Sequence, residues 1–104
     1  MTKTCFKLAV TDIAPELTTR PVGALARSRL IQALGDFGSV EIDFLNKSLT
    51  PSFADECVGR LAEHMGLQQF KSCVKLVNVS ETSKALIRHV VAARCRKSLA
   101  PETA

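Results

Sequence analysis

Short β-compatible segments and helical apolar stripes follow one another in turn along this chain, and that alternation restricts its fold more than any other feature. Cys5-Phe6-Lys7-Leu8-Ala9-Val10 is short and apolar and stops at Thr11-Asp12 with Pro15 close behind, the pattern of a strand entering a loop. Val22, Leu25, Ala26, Leu30, Ala33 and Leu34 then recur at helical spacing, with Pro21 suited to a first turn and Gly35 and Gly38 closing the segment. Val40, Ile42 and Phe44 alternate with Glu41 and Asp43, which reads as a second strand carrying Asp43 near its carboxyl end.

After a loop over residues 45–50, the residues Ala54, Cys57, Val58, Leu61, Ala62 and Met65 form a second helical stripe, ended by Gly66. Val74, Leu76, Val77 and Val79 make a third strand, and Ser80 is placed to cap a last helix whose Leu86, Ile87, Val90 and Val91 face the core. Residues 98–104 are expected to be a flexible tail. Such alternation implies parallel β-α-β units with right-handed crossovers. The expected fold is therefore α/β, a small, mainly parallel or mixed sheet covered by about three helices, in one domain over residues 1–104.

Composition narrows the function classes. Five Phe with no Trp or Tyr leave no aromatic platform for stacking bases, and a net charge of +4 is modest for a nucleic-acid binder. Nucleic acid is thus not the expected partner. Apolar runs fall well short of the ~20 residues a membrane helix needs. Cys5, Cys57, Cys73 and Cys95 are widely spaced with no C-x-x-C pair, so reduced thiols in a cytoplasmic protein are expected. Cys57, Cys73 and Cys95 read as small buried hydrophobes, and His64 and His89 as surface residues beside apolar stripes. No cofactor is expected and no zinc site is assigned.

The run Val40-Glu41-Ile42-Asp43-Phe44, followed after the loop by Thr50-Pro51-Ser52-Phe53-Ala54-Asp55-Glu56, resembles the STAS-like domains of unknown function. Arg20, Gly23 and Arg27 stand upstream at that family's spacing, and Phe70 with Val74 to Ser80 looks like its third strand, so the resemblance spans roughly residues 20 to 96. Ser-Phe-Ala-Asp-Glu is its specific part. These domains look like relatives of bacterial anti-sigma-factor antagonists, which bind a histidine-kinase-like ATPase and are switched by phosphorylation of a serine at a helix start. The resemblance implies a STAS-like regulatory module with a protein partner, either such an ATPase, an anti-sigma-type regulator or a second copy of itself. Where the antagonists read Asp-Ser-Ser-Gly, this chain has Pro51-Ser52-Phe53-Ala54. Phe53 falls on the usual phosphorylated position, with Ser52 beside it.

The candidate binding residues are Arg20, Arg27, Asp43, Thr50, Ser52, Phe53, Asp55 and Glu56, because loops at the carboxyl ends of strands form the usual binding edge of α/β sheets. Ser52 and Asp55 match a capping box, with Thr50 and Pro51 offering a competing cap. Arg20, Gly23 and Arg27 share one helix face, which serves either as an internal ion-pair partner for Asp43 or Asp55 or as an anion or partner site. Phe53 either plugs the core or projects as an anchor. The competing function is a small nucleotide- or anion-binding protein or enzyme using Asp43, Ser52 and Arg20, although no Gly-rich phosphate loop is present. The basic residues Lys84, Arg88, Arg94, Arg96 and Lys97 of the last helix are expected to complement its dipole and keep the surface charged.

Overall fold

The computed structural model describes residues 4–99. Three strands, β1 (Thr4–Ala9), β2 (Gly38–Asp43) and β3 (Val74–Val77), pair in parallel in the order β1-β2-β3. Helix α1 (Arg20–Phe37) connects the first two. The second crossover holds α2 (Pro51–Ala54), a π-helical turn (Asp55–Gly59) and α3 (Arg60–Met65), which run on as one rod because the joining residues all keep right-handed helical dihedrals. Gly66, at φ +89°, breaks the rod before α4 (Leu67–Cys73), and α5 (Glu81–Leu99) follows β3. The fold is α/β with a wholly parallel sheet.

Register decides which side chains enter the core. Partners across a parallel ladder share a face, so the rows Phe6, Val40, Val74 and Leu8, Ile42, Leu76 point to the helices. Val40 and Ile42 are fully buried there, together with Phe44 just past β2 and Val10 in the 3-10 turn that follows β1. Above them, Leu30 of α1, Phe53 of α2 and Leu61 of α3 complete the largest fully buried side chains.

Helices cover the sheet as expected, and among the described elements they do so from one side. A strand order that advances in one direction with right-handed crossovers lays every connection on the same side. Here α1, α5 and the rod between them pack on one another over that side. The opposite face carries a row of alternating charge, exposed Lys7, half-buried Glu41 and exposed Lys75, held in cross-strand register.

Element ends differ from the sequence reading in instructive ways. Helix α1 passes through exposed Gly35 and stops only at Gly38, whose φ of +89° no side-chain-bearing residue adopts easily and whose N–H donates to the Leu34 carbonyl. Strand β1 ends at Ala9, whose N–H is taken by the Asp12 carboxylate at 3.0 Å. Helix α4, which buries Phe70 and Cys73, is an addition to the expected helices. Ser98 and Leu99 belong to α5, and residues 100–104 of the expected tail lie outside the described residues. No helix among the described residues is long and apolar enough to cross a membrane.

Candidate functional site

The carboxyl ends of the strands carry the only side-chain-bearing positive-φ residues among those described: Leu45 at +54°, Asn46 at +58° and Asn78 at +52°. Asparagine tolerates this left-handed region, whereas leucine is held there at a cost of about 1–2 kcal/mol. The restraint is visible. Asp43 Oδ1 accepts from the Leu45 N–H at 2.8 Å and from Asn78 Nδ2 at 3.0 Å, and the Asn46 N–H donates to the Asn78 carbonyl at 2.8 Å. The loops after β2 and β3 are thereby locked together. Leu45, 42% exposed, projects from the lock into solvent.

Thr50 anchors the other end of the loop. Its hydroxyl accepts from the Phe53 N–H at 3.2 Å and donates to the Thr18 carbonyl at 2.7 Å, while its own N–H donates to the Leu17 carbonyl at 3.2 Å. Thr50 is therefore the N-cap of α2 with Pro51 in the first helical position. The expected Ser52–Asp55 capping box does not form, because Ser52 already lies inside the helix and Asp55 turns to arginines instead. Thr18 belongs to a third loop, fixed by Glu16, whose carboxylate accepts from both the N–H and the hydroxyl of Thr18 and of Thr19 at 2.6–3.2 Å. The Thr18 hydroxyl foremost, with the other donors, lowers the Glu16 pKa to about 2. A cleft of about 350 Å³ opens between this loop and Lys47-Ser48.

The charged candidates other than Asp43 are drawn into one network. Asp55 receives a two-pronged contact from Arg94 of α5, Nε at 2.9 Å and Nη2 at 2.7 Å, and a third from Arg20 at 2.9 Å. Glu56 receives Arg20 at 3.0 Å, Arg27 at 3.1 Å and Arg60 at 3.3 Å, and Arg27 also donates to the Glu56 carbonyl. The Arg94 contact, aided by Arg20, holds the Asp55 carboxyl well below its ordinary range against the opposing effect of burial. Burial pushes Glu56 upward, but Arg27 and Arg20 outweigh it and leave a net lowering.

Two glycines make the network possible. A Cβ on Gly59 would stand 3.0 Å from Asp55 Oδ1 and 3.3 Å from the Arg94 stem, and one on Gly23 would stand 3.0 Å from Glu56 Cβ and 3.2 Å from the Phe53 carbonyl. Of the two readings of the Arg20–Gly23–Arg27 face, the ion-pair one describes the structure, with Asp55 and Glu56 as partners rather than Asp43.

Phe53 is fully buried, so it plugs the core and is not a surface anchor. This corrects its place among the binding residues. Asp43, Ser52 and Arg20 do not converge on a common ligand position through their bonded groups, since Asp43 serves Leu45 and Asn78 while Arg20 serves Asp55 and Glu56. Cys57, Cys73 and Cys95 are buried as expected, and burial pushes the Cys57 thiol up to about 12, far from thiolate chemistry at neutral pH. His64 and His89 are exposed as expected. Arg94 leaves the expected dipole-complementing set and pairs with Asp55 and Glu63. Among the described residues no group of three or more His, Cys, Asp or Glu side chains is placed to hold a metal ion.

Sequence reasoning missed Leu45, Asn46, Asn78 and Glu16. The two asparagines carried a signal, being left-handed-tolerant residues just after strands, whereas nothing in the sequence marks Leu45.

The profile of a family described as a STAS-like domain of unknown function matches residues 23–84. No curated protein and no solved structure matches the chain. The matched span holds β2, the rod from α2 to α3, α4 and β3, and with them the Asp43–Asn78 lock and the acidic half of the arginine network.

Proposed function

We propose, from the premise that this chain belongs to the STAS-like family, that it is a non-catalytic regulatory module which docks a protein partner through its carboxyl edge. The surface runs from Leu45 through Thr50 and Pro51 to Ser52. The observation that carries the reading is the Asp43–Asn78 lock, which holds an exposed leucine in a backbone conformation it does not favour. Strain of this kind persists where the surrounding structure over-determines it, and it gathers at clamps and binding loops. A loop ordered before the encounter loses less entropy on docking.

The charged residues support the same reading from the other side. Arg20, Arg27, Asp55 and Glu56 neutralise one another and join helices, so their chemistry serves packing. The docking surface is accordingly narrower than residues 50–56 and shifted toward Leu45. A histidine-kinase-like ATPase is the partner class that kinship to anti-sigma-factor antagonists suggests, and a cytoplasmic setting goes with it. Ser52, half-buried in the first turn of α2, stands beside the position those switches phosphorylate.

The test is quantitative capture from the native cell by wild type, Leu45→Asp, Ser52→Glu and the control Arg88→Glu on the exposed side of α5, with melting curves to confirm folding. A histidine-kinase-like ATPase retained by wild type and the control but lost from the first two variants supports the reading. Equal capture by all four, or a rise in melting temperature with a nucleotide, speaks for another interface or for ligand binding.

A further inference from the structure

Two of the five phenylalanines lie outside the core. Phe6 of β1 and Phe37 at the end of α1 stack with centroids 4.5 Å apart and planes 7° from parallel, and they are 38% and 37% exposed. In a chain without Trp or Tyr this places two of its few aromatic rings at one point on the rim. They sit beside β1, one of the two outer strands of the sheet, whose ladder runs only to β2 among the described residues.

The backbone of β1 shows which groups are available there. In a parallel ladder alternate residues turn both N–H and C=O toward the same neighbour. The Ala9 N–H faces away from β2, since Asp12 takes it, so Lys7 and Cys5 turn their backbone groups outward as well. Asp12 closes the strip at one end. What remains is a short docking strip at Cys5 and Lys7, with Phe6 between them, free of proline or bulge.

We propose that a second copy of this chain pairs with β1 antiparallel, across a two-fold axis at Phe6, and continues the sheet from one copy into the other. In this register Cys5 faces the partner's Lys7 as a hydrogen-bonded pair that exchanges both backbone bonds, and the axis repeats the pair. Phe6 meets the partner's Phe6 as the non-hydrogen-bonded pair, where side chains approach most closely, and the two Phe6–Phe37 stacks merge. Moving the axis to Lys7 would oppose two like charges and would require the Ala9 N–H that Asp12 holds. A foreign strand would satisfy the same hydrogen bonds. The copy also matches ring to ring and sets each Lys7 against a cysteine rather than a second lysine.

The interface lies apart from the carboxyl edge and does not depend on its function. Sedimentation of the full chain from micromolar to millimolar concentration should show a reversible dimer. Lys7→Pro removes an outward N–H that the β1–β2 ladder does not use, so it should leave the dilute-solution melting curve nearly unchanged and weaken the dimer about tenfold or more. A second variant, Lys7→Cys, keeps the Phe6 rings and should cross-link to the facing native Cys5 between copies on mild oxidation, because hydrogen-bonded pairs with Cα atoms about 5.5 Å apart fall within disulfide reach. That cross-link decides the matter should Lys7→Pro fail to fold. A wild-type chain that stays monomeric throughout overturns the proposal, as does a dimer indifferent to Lys7→Pro or a Lys7→Cys variant that does not cross-link.

Discussion

Replacing Asp55 by alanine should cost far more than the loss of a helix cap. Its carboxylate accepts both prongs of Arg94 at 2.9 and 2.7 Å, with side chains only 17% and 19% exposed. Hydrogen bonds to charged groups contribute about 1.5–3 kcal/mol each when shielded from water, and the two prongs share one charge pair. Against this, Arg94 keeps Glu63 at 3.6 Å, so the guanidinium is not stranded. The net loss should be about 2–3 kcal/mol, which for a domain of this size lowers the melting temperature by about 10–15 °C. A lost exposed cap would cost only about 1 kcal/mol. Urea denaturation of Asp55→Ala, Arg94→Ala and the double variant at pH 7 measures both the loss and the coupling, expected at about 1–2 kcal/mol. Because the folded Asp55 pKa lies below its ordinary value of 3.8, its contribution is present above that value and fades as pH falls through the folded pKa. The gap between wild type and Asp55→Ala should therefore close in strong acid. A zero coupling energy, or a gap independent of pH, would refute the ion-pair account.

Phe53→Ala should cost about 3–5 kcal/mol, read by urea denaturation, because the ring is fully buried and its removal leaves a cavity. Thr50→Ala should lose about 1–2 kcal/mol of stability in the same assay while Ser52→Ala changes it little, since Thr50 both caps α2 and ties it to Thr18. Glu16→Gln should be less stable than wild type at neutral pH. As the folded pKa of about 2 lies below the ordinary 4.5, that difference should disappear as pH falls between those values, followed by melting temperature across an acid series.

The strand and helix alternation was legible because each element buries one face, and periodicity reports burial directly. Val40 and Ile42 show it in the second strand, Phe44 just past it, and Leu30 and Ala26 in the first helix. What escaped was whatever depends on two segments meeting. The π-helical turn has no periodic signature of its own, and Ser52–Asp55 satisfied a local capping pattern that lost to Arg94, thirty-nine residues away. Local chemistry proposed a cap, and a long-range guanidinium fork with two donors displaced it. The one-sided covering of the sheet was implicit in the crossover rule once the strand order was known, but strand order itself is not written in any single element. For the site, the arginine face and the carboxylates were found together, and their mutual pairing came from Gly23 and Gly59, whose missing side chains let the helices close.

The π-helical turn at Asp55–Gly59 also bears on how this chain aligns with its kin. A π turn is a regular helix that has accepted one surplus residue and absorbed it locally, so the angular phase of the flanking segments is kept. Phe53 and Ala54 before it, and Leu61 and Ala62 after it, all remain buried. A homologue one residue shorter at this point would straighten into an ordinary α-helix without turning either flank out of the core. Its Asp-Glu pair would no longer bulge toward the arginines of two other helices. A single-residue gap in this turn therefore marks whether a relative has kept the bolt that joins α1, the central rod and α5, while the rest of its fold reads the same.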